Sequence, residues 1–273
     1  MNQFGKTYMR VLVNEWYHHL DAKRLAEMRE SLSKNISSDS FDEITLFALN
    51  RGGLSGLNLD KVRIVDCAER PSFRDIIEFC NTQYMDAQCV VANNDIEFPP
   101  LTNSFPIARS KDLIAVSRHE LKNGKAVWFD DAEYYGHQPI HSIPPHAFSN
   151  DAWIFNAPIR LKGGKRIMMG QMGCDQRFLW LAFMSGMTIR HATKSFQVLH
   201  HHENKSRNWN SSNRAAMPGI VLDEEQRFLF YWRFKNIVQF DKIDLIELLL
   251  TVRFMMQQIF KRIFFGAYDD RVT

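Results

Sequence analysis

The chain has 273 residues, 45% hydrophobic and 12% aromatic, which suits one large globular domain or one domain with a helical appendage. Its formal charge of +3 is too mild to indicate nucleic acid, and neither an RNP-like aromatic motif nor zinc-finger spacing occurs. With no apolar signal region after Met1 and no run of about eighteen uncharged apolar residues, no transmembrane helix is expected. Cys67, Cys80, Cys89 and Cys174 are scattered, as reduced thiols of a cytoplasmic protein are, rather than set out as a disulfide framework.

In chain order, Tyr8–Val13 reads as a first strand, ending at Asn14-Glu15-Trp16. Asp21–Ser33 has helical spacing, with Leu25, Met28 and Leu32 on one face. Glu43–Leu49 is a second strand, followed by a loop marked by Gly52, Gly53 and Gly56, and Lys61–Val65 is a third, closing on Asp66-Cys67. Ser72, three residues before Asp75, is placed to cap a helix whose buried stripe is Phe73, Ile76, Ile77 and Cys80. Cys89–Ala92 reads as a strand buried on both faces that runs directly into Asn93-Asn94-Asp95-Ile96-Glu97. Polar groups at the carboxyl end of such a strand lie where open α/β sheets bind ligands, and Asp95 with Glu97 can offer oxygens to one hard cation. A solvated strand end with turn-forming asparagines accounts for the same residues.

This alternation is the rhythm of an α/β nucleotide-binding half. Neither GxGxxG nor GxxxxGK[ST] is present, which argues against a Rossmann dehydrogenase or a P-loop enzyme. A bound nucleotide would need its phosphates neutralised otherwise, and a cation at Asp95 is the candidate.

Asp112–Val116 and Ala126–Phe129 are expected to pair as strands across Asn123-Gly124, and residues 134–150 read as an irregular loop. Asp151 heads the apolar run Ala152–Phe155, and Lys165–Met169 is a further short run. Asp175–Met184 turns helical, so Asp175 lies at or near a helix N-terminus, where an acid also serves as an ordinary cap. Thr188–His191 and Phe196–Leu199 are expected as edge strands leading to His200-His201-His202, whose outer two share a face if extended. After about residue 204 the composition changes: 205–216 reads as loop, then Asp223–Gln239 and Asp241–Phe265 as helices. The last is apolar but carries Arg253, Lys261 and Arg262, and suits a core helix, a homodimer helix or an interfacial helix on an anionic membrane. The expected division is a catalytic domain over 1–204 and a helical extension over 205–273.

Four segments in order, Arg70-Pro71-Ser72-Phe73-Arg74-Asp75, Ala92-Asn93-Asn94-Asp95-Ile96-Glu97-Phe98, Asp151-Ala152-Trp153-Ile154-Phe155 and Gly173-Cys174-Asp175-Gln176-Arg177, resemble bacterial-type glycosyltransferases of the GT-A fold. The resemblance spans residues 8 to about 202 and leaves out the C-terminal helices. It implies an α/β fold with a mostly parallel sheet flanked by helices. It also implies a DxD-like motif in which Asn93 holds the place of the first acid and Asp95 that of the last, with Glu97 as helper. The implied cofactor is Mn²⁺ or Mg²⁺, with His202, and after it His200, as a late ligand. Asn14, Asp66, Arg70, Arg74, Asn93, Asn94 and Asp95 would bind the nucleotide sugar, Asp66 at the base and the two arginines at the diphosphate. Asp151 and Trp153 would contact donor or acceptor sugar, and Asp175 would be the catalytic base. The implied activity is transfer from a nucleoside-diphosphate sugar, UDP-sugar favoured, to a glycan or lipid-linked acceptor in polysaccharide biosynthesis, at the inner face of the membrane. Inversion is favoured and retention stays open. Three other readings compete. A metal-dependent hydrolase lacks HExxH, and a nucleotidyltransferase lacks its glycine-rich, lysine-bearing loop at Val11–Trp16. The third is a catalytically degenerate scaffold that binds a partner protein or a membrane surface.

Overall fold

The computed structural model describes residues 8–100, 105–122, 125–128, 149–193, 195–201, 215, 219–222, 228–231 and 245–265. The first half runs β1 (Arg10–Trp16), α1 (Ala22–Ser37), β2 (Glu43–Ala48), β3 (Val62–Asp66), α2 (Phe73–Gln83), β4 (Gln88–Ala92) and β5 (Ile96–Glu97). Then come β6 (Asp112–Val116), β7 (His119–Lys122), β8 (Lys125–Trp128), β9 (Ala152–Asn156), α3 (Cys174–Met184), β10 (Thr188–His191) and β11 (Leu199–His200). A hairpin of β12 (Gly219–Leu222) and β13 (Phe228–Tyr231) precedes the long helix α4 (Leu245–Phe265).

The main sheet has seven strands in the order β10-β6-β9-β4-β1-β2-β3. β9 runs antiparallel to β4 and β6, and the remaining pairings are parallel. This is the mostly parallel α/β architecture expected from the sequence. Its strands divide their side chains by the two-residue period. Val11, Val13, Cys89, Val91, Trp153 and Phe155 face a core shared with α2, α3 and the first turns of α4. Leu12, Val90, Ile114 and Ile154 face a second core under α1, where Met28 and Leu32 cover them. Burial on both faces is why these strands are continuous apolar runs.

Side chains cap the starts of α1 and α2. Asp21 accepts from the amides of Lys23 and Arg24 at the start of α1, at 2.9 and 3.3 Å. Ser72 and Asp75 form the expected capping box at α2. Ser72→Ala should therefore cost about 1 kcal/mol in urea unfolding; an unchanged midpoint would show that the box carries no weight.

Two expectations are corrected. Asp112–Val116 does not pair across Asn123-Gly124; it is buried along its whole length and takes an inner place in the main sheet between β9 and β10, while β7 is the partner of β8. Within Asp223–Gln239, Phe228–Tyr231 is a strand against Gly219–Leu222, as its aromatic run favours; the rest of that segment lies outside the described residues. The helix expected at the C-terminus is present as α4.

The described part of 205–273 is built into the domain. Ala215, Ile220, Leu250 and Phe254 belong to the same core as Phe178–Ala182 of α3. At its centre Arg177 of α3 meets Glu247 of α4 at 2.7 Å, both side chains wholly buried. The other Glu247 oxygen accepts from the Gly164 amide at 2.7 Å. Gly163, at φ +85°, packs so closely there that an added Cβ would lie 2.5 Å from Glu247 Cγ.

Candidate functional site

The strand order reverses at β1, whose neighbours are β2 on one side and β4 on the other. The carboxyl ends of β1 and β4 therefore open a crevice at a topological switch point. Asn14 ties the two ends, its Nδ2 donating to the carbonyls of Ala92 at 2.8 Å and Asn93 at 3.2 Å. Next to it the buried Glu15 is held by both arms of Arg70, with Nε to Oε2 at 2.6 Å, and the guanidinium lies 5.3 Å from the Tyr17 ring centre. Burial raises the Glu15 carboxyl above its ordinary range, against the pull of Arg70.

Beyond β4 the chain turns through Asn93–Asp95, and a line of alternating charges begins. Asp95 Oδ2 accepts from the Arg24 guanidinium of α1 and from His200 Nε2, the latter at 2.9 Å. The other ring nitrogen of His200 lies 3.0 Å from Glu120. Arg118 bridges Glu120 at 2.8 Å to Asp151 at 3.0 Å, and Asp151 also accepts from Asn93 Nδ2 at 3.0 Å. A ring with a carboxylate on each nitrogen needs both protons. Burial opposes the charged ring, but Asp95 and Glu120 outweigh it and raise His200 above its ordinary value. Burial likewise opposes ionised Asp95 and Glu120. His200 with Arg24 holds Asp95 well below the carboxylate range, and His200 with Arg118 brings Glu120 down to about 2.

Asp175 stands in the first turn of α3, after Gly173 at φ +79°. Its Oδ2 accepts from the Asn150 amide and from Gln176 Nε2, each at 3.1 Å. Burial pushes this carboxyl up to about 7; the Asn150 amide pulls it down and the charge of Asp151 pushes it further up. Here burial outweighs the helix N-terminus, which by itself favours the ionised acid.

The structure thus gathers Asn14, Arg70, Asn93, Asn94, Asp95, Asp151, Asp175 and His200 at one edge. The remaining candidates have other surroundings. Trp153 is corrected: it is wholly buried, edge-on to Phe73 and Phe178 with ring centres 5.1 and 5.6 Å away, and offers no face to a sugar. Asp66, at the end of β3, is exposed and paired with Arg51 at 2.6 Å, and Arg74 pairs with Glu78 at 2.6 Å one turn along α2. Glu97 meets His201 rather than joining Asp95. His202 lies outside the described residues. A cleft of about 500 Å³ lined by Ile107, Ile114, Arg190 and His191 opens at the outer strand β10 and contains none of these groups.

Among the described residues no three His, Cys, Asp or Glu side chains converge to hold a metal ion. The donors at the end of β4 do not fit one, because Asp95 Oδ2 already faces a guanidinium and an imidazolium. A divalent ion about 4 Å from one further positive charge would meet roughly 8 kcal/mol of repulsion at an effective dielectric of about 20.

Arg24, Glu120, Arg118 and Glu15 were not singled out by sequence. One signal was available: Arg118-His119-Glu120 follows the apolar β6 as Asn93-Asn94-Asp95 follows β4, polar residues directly after a buried strand.

No family model matches the chain, and no curated protein matches it. Among solved structures it is similar to the 2-C-methyl-D-erythritol 4-phosphate cytidylyltransferase of Francisella tularensis, with a TM-score of 0.37 and 12% identity over 69% of this chain and 92% of that one.

Proposed function

We propose that the chain is a GT-A-type glycosyltransferase, moving a sugar from a nucleoside-diphosphate sugar, a UDP-sugar by preference, to a hydroxyl of a glycan or lipid-linked acceptor. Asp175 carries the reading: a half-buried carboxyl at the sheet's carboxyl edge whose proton affinity is centred near neutrality. A general base works best there, substantially ionised at neutral pH yet still able to take a proton. In the inverting reaction the anomeric carbon–oxygen bond breaks and its electron pair leaves with the diphosphate. The acceptor oxygen bonds to the opposite face of that carbon, and its proton passes to Asp175. Asn93, Asn94 and Arg70, gathered at the crevice, support nucleotide binding, and Asp151 helps keep Asp175 near neutrality.

Thermal melting with a panel of nucleoside diphosphates, each with and without Mn²⁺, tests the binding half of this proposal. A nucleotide at about a hundred times its dissociation constant adds about 2.7 kcal/mol of stability. Stabilisation by the uridine nucleotide supports the favoured donor, whereas silence from every nucleotide removes the proposal.

The ion pairs closed around Asp95 favour a second reading, a catalytically degenerate scaffold. It gains support from Leu245, Leu249, Val252 and Met256, exposed along α4 beside Arg253 as a surface for a partner or a membrane. Among the described residues no helix is long and apolar enough to cross a membrane.

A further inference from the structure

Arg24 is held on three sides: by Asp95, by Glu27 at 3.0 Å and by the His201 carbonyl at 3.2 Å. Only 13% of its side chain is exposed, and its guanidinium lies on the carboxylate that ends the Asn93-Asn94-Asp95 turn. We infer that Arg24 is a built-in cation, filling the place that this turn would otherwise give to Mn²⁺ or Mg²⁺ and keeping metal out. The inference concerns ion exclusion and stands whether or not sugar transfer is the activity.

The charges around the site explain why exclusion is complete. Asp95 is answered by Arg24 and His200, and Glu120 by His200 and Arg118. Of the four carboxylate oxygens of Asp95 and Glu120, Asp95 Oδ1 is the one buried without a hydrogen-bond partner among the described residues. One oxygen is far short of the roughly six ligands such an ion takes. Removing Arg24 changes this, because Oδ2 is freed on the Arg24 side and the surrounding charge falls by one unit. The His200 ring, 2.9 Å from Oδ2, would stand beside the freed oxygen as a further nitrogen donor.

The experiment is a titration of Mn²⁺, followed by loss of the free-ion paramagnetic signal, into the full chain and its variants. The wild-type chain should leave the signal unchanged. Arg24→Ala should take up Mn²⁺ at least about tenfold more tightly, and the double variant R24A/D95N should lose that gain. Arg24→Met keeps the aliphatic stem and serves if the alanine variant melts. Binding by the wild-type chain that Asp95→Asn abolishes overturns the inference, because an ion would then enter with Arg24 in place. Folded Arg24 variants that stay silent overturn it equally, since something other than Arg24 would then exclude the ion.

Discussion

Glu247→Ala is expected to lower the stability of the whole domain by about 3–5 kcal/mol, the range for breaking a buried ion pair from one side. The variant leaves the wholly buried Arg177 without its carboxylate and the Gly164 amide without an acceptor. For a chain of this size that is a fall in melting temperature on the order of 10 °C. Glu247→Gln keeps an oxygen for the amide and should lie between. Replacing both partners by apolar residues, Arg177→Met with Glu247→Leu, should recover most of the loss, because two desolvated charges disappear together. The recovery is not total, since Arg177 also lies 4.3 Å from the Trp180 ring centre. Denaturant unfolding of the three variants decides the matter. Wild-type stability in Glu247→Ala would mean that the α3–α4 pair is not what joins the C-terminal segment to the domain.

Asp175→Asn is expected to reduce sugar transfer by about 10²–10⁴-fold while leaving nucleotide binding unchanged, since the amide cannot accept the acceptor's proton. The pH profile of the wild-type reaction should rise to a plateau through about pH 7, where Asp175 ionises. The effect on stability has the opposite sign. The folded chain holds this proton more tightly than the unfolded chain, so ionising Asp175 works against folding, and that penalty accumulates from about pH 4 to about pH 7. Asp175→Asn should accordingly be more stable than wild type at pH 8, with the gain shrinking as pH falls. An inactive variant that is also more stable cannot be explained by misfolding. Undiminished transfer would dismiss Asp175 as the base.

What could be read from the sequence is what local pattern encodes. The capping box at Ser72 and Asp75, the helical face of α1 and the apolar strand leading into Asn93–Asp95 all depend on neighbours a few residues away. The partners of the charges do not. Arg24 meets Asp95 across 71 positions and His200 meets Glu120 across 80, distances that no local window spans. Trp153 misled for a different reason. It shares a strand face with Asp151, but Asp151 stands just outside β9 at the polar edge and Trp153 lies inside, where helices cover the sheet. Phe228–Tyr231 shows the ambiguity of short apolar runs, which serve a strand or a buried helix equally well.

The Arg177–Glu247 pair also bears on how the chain is made. Synthesis delivers the guanidinium seventy residues before the carboxylate that answers it. While those residues are still emerging, α3 cannot be buried with Arg177 against its carboxylate, so the last layer of the domain must wait for α4. Nascent chains halted before residue 247 should therefore expose this face to proteases and chaperones, and the α4 turn carrying Glu247 acts as the latch that ends folding.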